Sequence, residues 1–256
     1  MDRRAQILET ARRDGRVMVD DLAESLGVSS HTIRRDINTL CEESKLRRLH
    51  GGAEFIDDRA NMPYGAREVL NFEAKRAIAD CVDALIPDEA TVFISIGTTP
   101  ALIAGALVDK RALTVITNNL NAAMVLSENA DNRIILPSGE LRLPDRDILS
   151  ENAIELFTTY RADFGIYGVG GIDPDGSLLD FHEMEVRARE QIRINSRHSI
   201  LAADHTKFGR RAAAVGGALR DADHIVIDDR PGSAYAHLLA GLGSRLIVAC
   251  ENEVVA

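Results

Sequence analysis

Beyond residue 72 the chain repeats one pattern, a short β-branched apolar run followed by a helical stretch, and this alternation restricts the fold more than any other feature. The runs are TVFISI (91–96), LTVIT (113–117), RIIL (133–136), FGIYGV (164–169), SILAA (199–203), HIVID (224–228) and RLIVA (245–249). Helical periodicity separates most of them, over 72–85, 101–107, 120–126, 148–157, 183–195 and 234–240. Runs this short and this uniformly apolar suit strands buried on both faces, so the order predicts an α/β domain, a mainly parallel sheet with covering helices. In such a sheet ligands bind beyond the carboxyl ends of the strands.

The first fifty-five residues follow another rule. From Arg3 to Asp14 the apolar positions Ile7, Leu8 and Ala11 fall at helical spacing before Gly15. A second helix is expected from Asp21, with Glu24 at capping-box spacing, to Gly27. A third opens at Ser29 or Ser30 and carries Ile33, Ile37 and Leu40 as one apolar stripe. Its other side holds His31, Thr32, Arg35 and Asn38, with Arg34 on the flank. Two short helices joined through a glycine, the second presenting polar residues near its start, form a helix-turn-helix unit that fits the major groove of double-stranded DNA. KLRRLHGGAEF then reads as a β-hairpin wing with Arg47, Arg48 and His50 near its turn. Arginine can grip guanine bidentately or bind phosphate, and Asn38 can read adenine. The plainer reading of each element is a solvated charged helix. The combination and order of elements favour an operator-DNA surface of Ser29, Ser30, His31, Thr32, Arg34, Arg35, Asn38, Arg47, Arg48 and His50.

Charge sharpens this picture. The whole chain of 256 residues has a formal charge of −10, yet residues 1–55 hold ten Lys and Arg against ten Asp and Glu, so the acidic excess lies entirely beyond them. An acidic body repels phosphate backbones, which confines DNA binding to the arginine cluster. No apolar stretch reaches the roughly 18 residues of a membrane helix, and MDRRAQILE lacks a signal peptide's apolar centre, so a cytoplasmic protein without membrane association is expected. Cys41, Cys81 and Cys250 are scattered and form no CxxC pair; they read as small core residues. Pro63 and Gly65 in a polar stretch suggest a linker. The expected division is 1–56 as winged helix-turn-helix domain, 57–71 as linker and 72–256 as sensing domain.

Several loops at predicted strand ends have binding chemistry. SIGTTP places Gly97, Thr98 and Thr99 at a helix start, with Pro100 expected at its first position, a natural anion site; a plain N-cap is the competing explanation. TNN supplies Thr117, Asn118 and Asn119 as neutral donors and acceptors, or as Asx-turn caps. SGELR offers Gly139, Glu140 and Arg142, and DHTK offers Asp204 and Lys207, a carboxylate and an ammonium for a hydroxyl and a phosphate, or a surface ion pair. Gly168, Gly170 and Gly171 do not keep the GxGxxG spacing, and no GK[ST] follows SIGTTP, so no nucleotide cofactor is indicated. His182 and Glu185 stand three apart without an HExxH motif, which favours helix-start polar residues over metal ligands; neither a metal nor a catalytic group is expected.

VSSHTIRRDINTL, LHGGA, IGTTP, VITNNLN, SGELR, FGIYGVGGIDPDGSLLDF, NSRH and DHTKFGR occur in an order that resembles the DeoR-type bacterial transcriptional regulators nearly end to end. The resemblance implies a winged N-terminal domain on operator DNA and a C-terminal domain, similar to sugar-phosphate isomerases, that binds a phosphorylated effector without turning it over. It also implies a recognition helix over Ser30 to Leu40, a phosphate loop at Gly97, Thr98 and Thr99, and effector contacts at Thr117, Asn118, Asn119, Gly139, Glu185, Asp204 and Lys207. Ser95 departs from the pattern, standing where that family usually carries Asp. The resulting expectation is a homo-oligomeric repressor, dimer or tetramer, of a glycerol or sugar catabolic operon, released by a small phosphorylated metabolite such as sn-glycerol 3-phosphate. The alternatives are a regulator of either sign sensing another sugar phosphate, and a sugar-phosphate isomerase with a DNA-binding appendage.

Overall fold

The chain divides at residue 60 into two units, 1–60 and 61–256, that share no buried core. The computed structural model describes residues 2–42, 45–49, 51–55 and 61–249, with backbone only at Glu42 and Arg47. His50 and Cys250 lie outside the described residues.

In the first unit helices α1 (Arg3–Asp14), α2 (Val19–Leu26) and α3 (Ser30–Glu42) pack with strands β1 (Arg16–Met18), β2 (Leu46–Leu49) and β3 (Gly52–Phe55). Ile7, Ala11, Leu22, Ile33, Ile37, Leu40 and Leu46 make one core, with Cys41 half-buried at its edge. The wing is a three-stranded antiparallel sheet in the order β1-β3-β2. Strand β1 has no signal of its own, since three residues show no period. It also moves the start of α2: the expected capping box at Asp21 is not the start, because β1 runs directly into a helix at Val19. The Val19 N–H donates to the Gly51 carbonyl of the wing at 2.9 Å, satisfying one of the helix's orphan donors. Gly52 is required at that join, since a Cβ there would lie 2.1 Å from the Val17 carbonyl oxygen.

The second unit is built on a seven-stranded sheet of β4 (Thr91–Ile94), β5 (Thr114–Thr117), β6 (Arg133–Ile135), β9 (Ala162–Tyr167), β12 (Ser196–Ala202), β14 (His224–Ile227) and β15 (Leu246–Val248). Its order is β15-β14-β12-β9-β4-β5-β6, and every pairing is parallel. Alternate residues of each strand serve two cores. Val92 and Ile94 meet helices α5 (Phe72–Asp83), α6 (Thr98–Ala106) and α7 (Leu120–Leu126), whereas Phe93 faces α8 (Glu151–Thr159), α9 (Glu183–Ile194) and α10 (Ala236–Ala240). Cys81 is half-buried against the first of these cores. Two smaller sheets complete the unit, a hairpin of β7 (Leu141–Arg142) and β8 (Asp147–Ile148) and a group β10 (Gly171–Ile172), β11 (Ser177–Asp180), β13 (Ala214–Ala218).

Two expectations change here. The stretch 57–71 is not a linker throughout: Pro63 caps a short helix α4 (Tyr64–Val69) that belongs to the second unit and packs on α6, with Tyr64 buried. Proline's fixed φ suits a helix start as well as a turn, so the same residues served both readings. Pro100 sits at the third position of α6, which begins at Thr98, and not at the first.

The topology locates the site. From β4 the chain moves outward through β5 and β6, then returns to β9 on the other side of β4 and proceeds through β12, β14 and β15. The connections leaving β4 and β9 therefore diverge, opening a crevice at the carboxyl ends of these two neighbours.

Candidate functional site

The N-terminal surface is built by capping. The Ser29 hydroxyl accepts the Thr32 N–H at 3.2 Å and contacts the Thr32 hydroxyl at 2.9 Å, while the Ser30 hydroxyl donates to Asp20 at 3.0 Å. Three residues expected on the DNA surface thus fix the joint between α2 and α3. Asp36, the acid nearest the arginines, accepts from Arg3 of α1 at 2.5 Å, which removes its charge from the open face. His31, Arg34, Arg35 and Asn38 remain exposed along α3, joined on the wing by exposed Arg48. Arg47 is placed by its backbone alone, paired with Glu54.

In the second unit the crevice holds about 660 Å³ of empty space open to solvent, the size of a small-molecule site. Its walls come from the loop after β4 (Ser95, Ile96, Gly97, Thr98, Thr99), the loop after β9 (Gly168 to Gly170), Lys207 and Arg210 beyond β12, Asp180 at the end of β11, Glu185 in the first turn of α9, and Arg142 with Asp147 from the small hairpin. Five cationic side chains, Arg67, Arg142, Arg189, Lys207 and Arg210, face four carboxylates, Asp145, Asp147, Asp180 and Glu185.

Gly97 adopts φ 112°, open to glycine, and turns the chain so that the first N–H groups of α6 point out of the helix. Pro100 has no N–H, so the Thr98 and Thr99 amides and their buried hydroxyls are the donors there. Asn119 holds this loop from behind. Its Nδ2 donates to the Ser95 and Gly97 carbonyls, both at 3.1 Å, and its Oδ1 accepts from the Asn121 and Ala122 amides at the start of α7.

The carboxylates are tied up. Asp180 accepts from Arg189 Nε at 2.9 Å and from the Gly170 N–H at 2.8 Å; Arg189 is itself buried. Arg142 grips Asp147 at 2.6 and 2.8 Å and reaches Glu185 at 3.4 Å. Glu185 also accepts the Phe181 and His182 amides, the helix-start role expected of it. Burial raises the Asp180, Glu185 and Asp147 carboxyls, with their arginines acting in opposition. Burial also pushes the Lys207 ammonium down to about 7, against the pull of Asp204 and assisted by Arg210. At Asp204 burial works upward, but Lys207, the Thr206 hydroxyl and Lys75 outweigh it and leave that carboxyl below its ordinary value. Lys75 is buried and lowered to about 8 for the same reason as Lys207.

Six of the twelve expected effector residues line the crevice: Gly97, Thr98, Thr99, Arg142, Glu185 and Lys207. The other six stand elsewhere. Thr117 donates to the Ile94 carbonyl at 2.6 Å, Asn118 donates to Ile148 at 3.0 Å, and Asn119 braces the loop, all three fully buried behind the wall. Asp204 is buried beside Lys207, accepting from Thr206 and Asn71. Gly139 and Glu140 are exposed, in the segment between the edge strand β6 and the β7–β8 hairpin. Sequence reasoning missed Arg67, Asp145, Asp147, Asp180, Arg189 and Arg210. Arg189 follows Glu185 by four residues and so shares its helix face, a signal that was available. Among the described residues no cluster of three or more His, Cys, Asp or Glu is placed to hold a metal, and no helix is long and apolar enough to cross a membrane.

Comparison with known proteins agrees with both halves. Residues 3–59 match the family model of the DeoR-like helix-turn-helix domain, and residues 70–229 that of the DeoR C terminal sensor domain. The glycerol-3-phosphate regulon repressor of Escherichia coli (strain K12) is 43% identical over 225 residues, 88% of this chain and 89% of that protein. The protein of the same name from Haemophilus influenzae is 40% identical over 252 residues, 98% of each. A D-ribose-5-phosphate isomerase structure in complex with phospho-erythronic acid aligns over 54% of each chain at 17% identity and a TM-score of 0.38, too loose a likeness to add to the assignment. The chain belongs to the DeoR family of helix-turn-helix regulators.

Proposed function

We propose that this protein is a DNA-binding transcriptional repressor of a glycerol catabolic operon, released from its operator when sn-glycerol 3-phosphate occupies the crevice of the second unit. Relatives named as glycerol-3-phosphate regulon repressors, matching over nearly the whole chain, support the repressor role. The observation that carries the effector reading is the convergence of the Gly97–Thr99 helix start with Lys207 and Arg210 at the switch point between β4 and β9. A phosphate dianion would take the Thr98 and Thr99 amides and hydroxyls at the positive end of α6, with Lys207 as counter-charge. The polar wall of Arg142 and Glu185 would then meet the glycerol hydroxyls. His31, Arg34, Arg35, Asn38 and Arg48 would face operator DNA, in a cytoplasmic homo-oligomer whose paired wings read two half-sites.

The isomerase alternative needs a free general base beside the substrate carbon. Asp145, Asp147, Asp180 and Glu185, the carboxylates among the described residues of the crevice wall, are each already held by an arginine, which argues against that work. Titration calorimetry with sn-glycerol 3-phosphate, glycerol and inorganic phosphate tests the effector reading. The ester should bind more tightly than either fragment; equal affinity for glycerol, or no binding of any of the three, would refute it.

A further inference from the structure

The chain enters the second unit through residues 61–75, and these residues form part of the crevice wall. Asn61 and Arg67 line it. Arg67, on α4, donates through Nε to the Met62 carbonyl at 2.9 Å and through Nη2 to Asp145 in the turn of the β7–β8 hairpin. Nη1 makes no hydrogen bond among the described residues, the guanidinium lies over the Tyr64 ring at 5.6 Å from its centroid, and the side chain is only 14% exposed. The same hairpin carries Arg142 and Asp147, so one turn links Arg67 to the Arg142–Glu185 contact. The far end of α4 is anchored as well. Buried Lys75 donates to the Arg67 carbonyl, and Asn71, held at φ 54°, spends its side chain on Asp204 and Thr206, both at 3.2 Å, instead of capping its own helix. Asp204 is the residue packed against Lys207. The first element after the DNA-binding unit is thus bolted to two loops of the effector crevice, and one of its side chains is a cation facing the ligand space.

We propose that Arg67 is an additional effector-contacting residue and that α4 reports occupancy of the crevice: an anionic ligand competes with Asp145 for the Arg67 guanidinium, and the exchange loosens α4 from the hairpin and alters the anchoring of the chain that leads to the DNA-binding unit. This rests on the effector reading above. Guanidinium groups exchange one charged oxygen partner for another with little change in geometry, and a phosphate offers the same bidentate edge as a carboxylate. A ligand shifts an equilibrium only as far as it binds the two states differently, and competition for a single guanidinium supplies such a difference.

The test uses the full chain, with sn-glycerol 3-phosphate as the probe, and measures two quantities in parallel: probe affinity by calorimetry, and the ratio of operator-DNA affinities without and with saturating probe. Arg67→Gln should weaken probe binding about tenfold. Asp145→Asn should tighten it several-fold, since no carboxylate then holds the arginine, and both variants should bring the DNA ratio close to one. A merely structural role would move probe affinity in the same direction in both. Equal directions, or a wild-type DNA ratio in either variant, would overturn the proposal while leaving the effector reading intact. A wild-type protein whose DNA binding ignores every small phosphate would remove that reading and this inference together.

Discussion

Asn119 is the residue where position and contact can be told apart by measurement. It lies behind the Gly97–Thr99 loop with 1% exposure, and its side chain makes four hydrogen bonds, two donated to the loop carbonyls and two accepted at the start of α7. In Asn119→Ala the Gly97 carbonyl keeps the Ala101 N–H at 3.2 Å, whereas the Ser95 carbonyl loses its side-chain donor. Orphaning one buried carbonyl costs about 1 to 3 kcal/mol and removing an N-cap about 1, so the variant should be less stable by about 2 to 4 kcal/mol. For a unit of this size that is a melting decrease of about 5 to 15 °C. Asn119→Asp keeps the cap and loses the donors, so it should be destabilised differently yet bind phosphate as poorly as the alanine variant. Scanning calorimetry of the full chain, with phosphate-ester titration of the same samples, reads both effects. If Asn119→Ala melts within a degree of wild type while ester binding disappears, Asn119 touches the ligand directly and the positioning argument fails.

Other outcomes follow from the same geometry. Lys207 lies near 7 in the folded chain against 10.5 for an ordinary lysine, so the folded state binds fewer protons between those values and this group's contribution to stability rises with pH across that window. Ligand binding runs the other way. In the proposed complex the ammonium pairs with the phosphate, so affinity should fall about fivefold or more from pH 6.5 to 8.5, and Lys207→Met should flatten the profile; a wild-type profile in that variant would remove Lys207 from the site. His205 is raised above its ordinary value chiefly by its hydrogen bond to Asp228. The stabilisation it provides is complete below about 6.5 and lost as pH rises through the higher folded value, and in Asp228→Asn its proton NMR titration should move down. Arg35→Ala should weaken operator binding by about 1 to 3 kcal/mol; a slope of log affinity against log salt reduced by about one assigns it to phosphate, an unchanged slope with relaxed sequence preference to a base, and unaltered binding would refute its place on the interface.

The sheet was legible because strands buried on both faces need uninterrupted apolar side chains, and TVFI, TVIT and HIVI meet that need in plain view. Helix α3 was equally legible through Ile33, Ile37 and Leu40. The hairpin β7–β8 was not, since two-residue strands carry no period, and with it went Asp145 and Asp147. The turn at Gly97 and the helix that follows it could be read from SIGTTP because a helix start is a local event. Which side chains face the crevice depends on strand order, which no local pattern encodes: β9 beside β4 brings Gly168 and Gly170 in. Asn118 and Asn119 were correctly seen as hydrogen-bonding residues, but their partners proved to be backbone. Arg67 was hidden by its neighbours, because Pro63 and Gly65 make a helix start look like a linker.

On the proposed function, occupancy of the crevice by a small phosphate ester lowers affinity for operator DNA. Fluorescence anisotropy of the full chain on DNA from upstream of its own operon, with and without sn-glycerol 3-phosphate, tests it most directly. The account predicts tight, salt-sensitive binding that the ester weakens by about 5- to 150-fold, the usual range of coupling between two sites. Tight binding unchanged by the ester and by other sugar phosphates would contradict it.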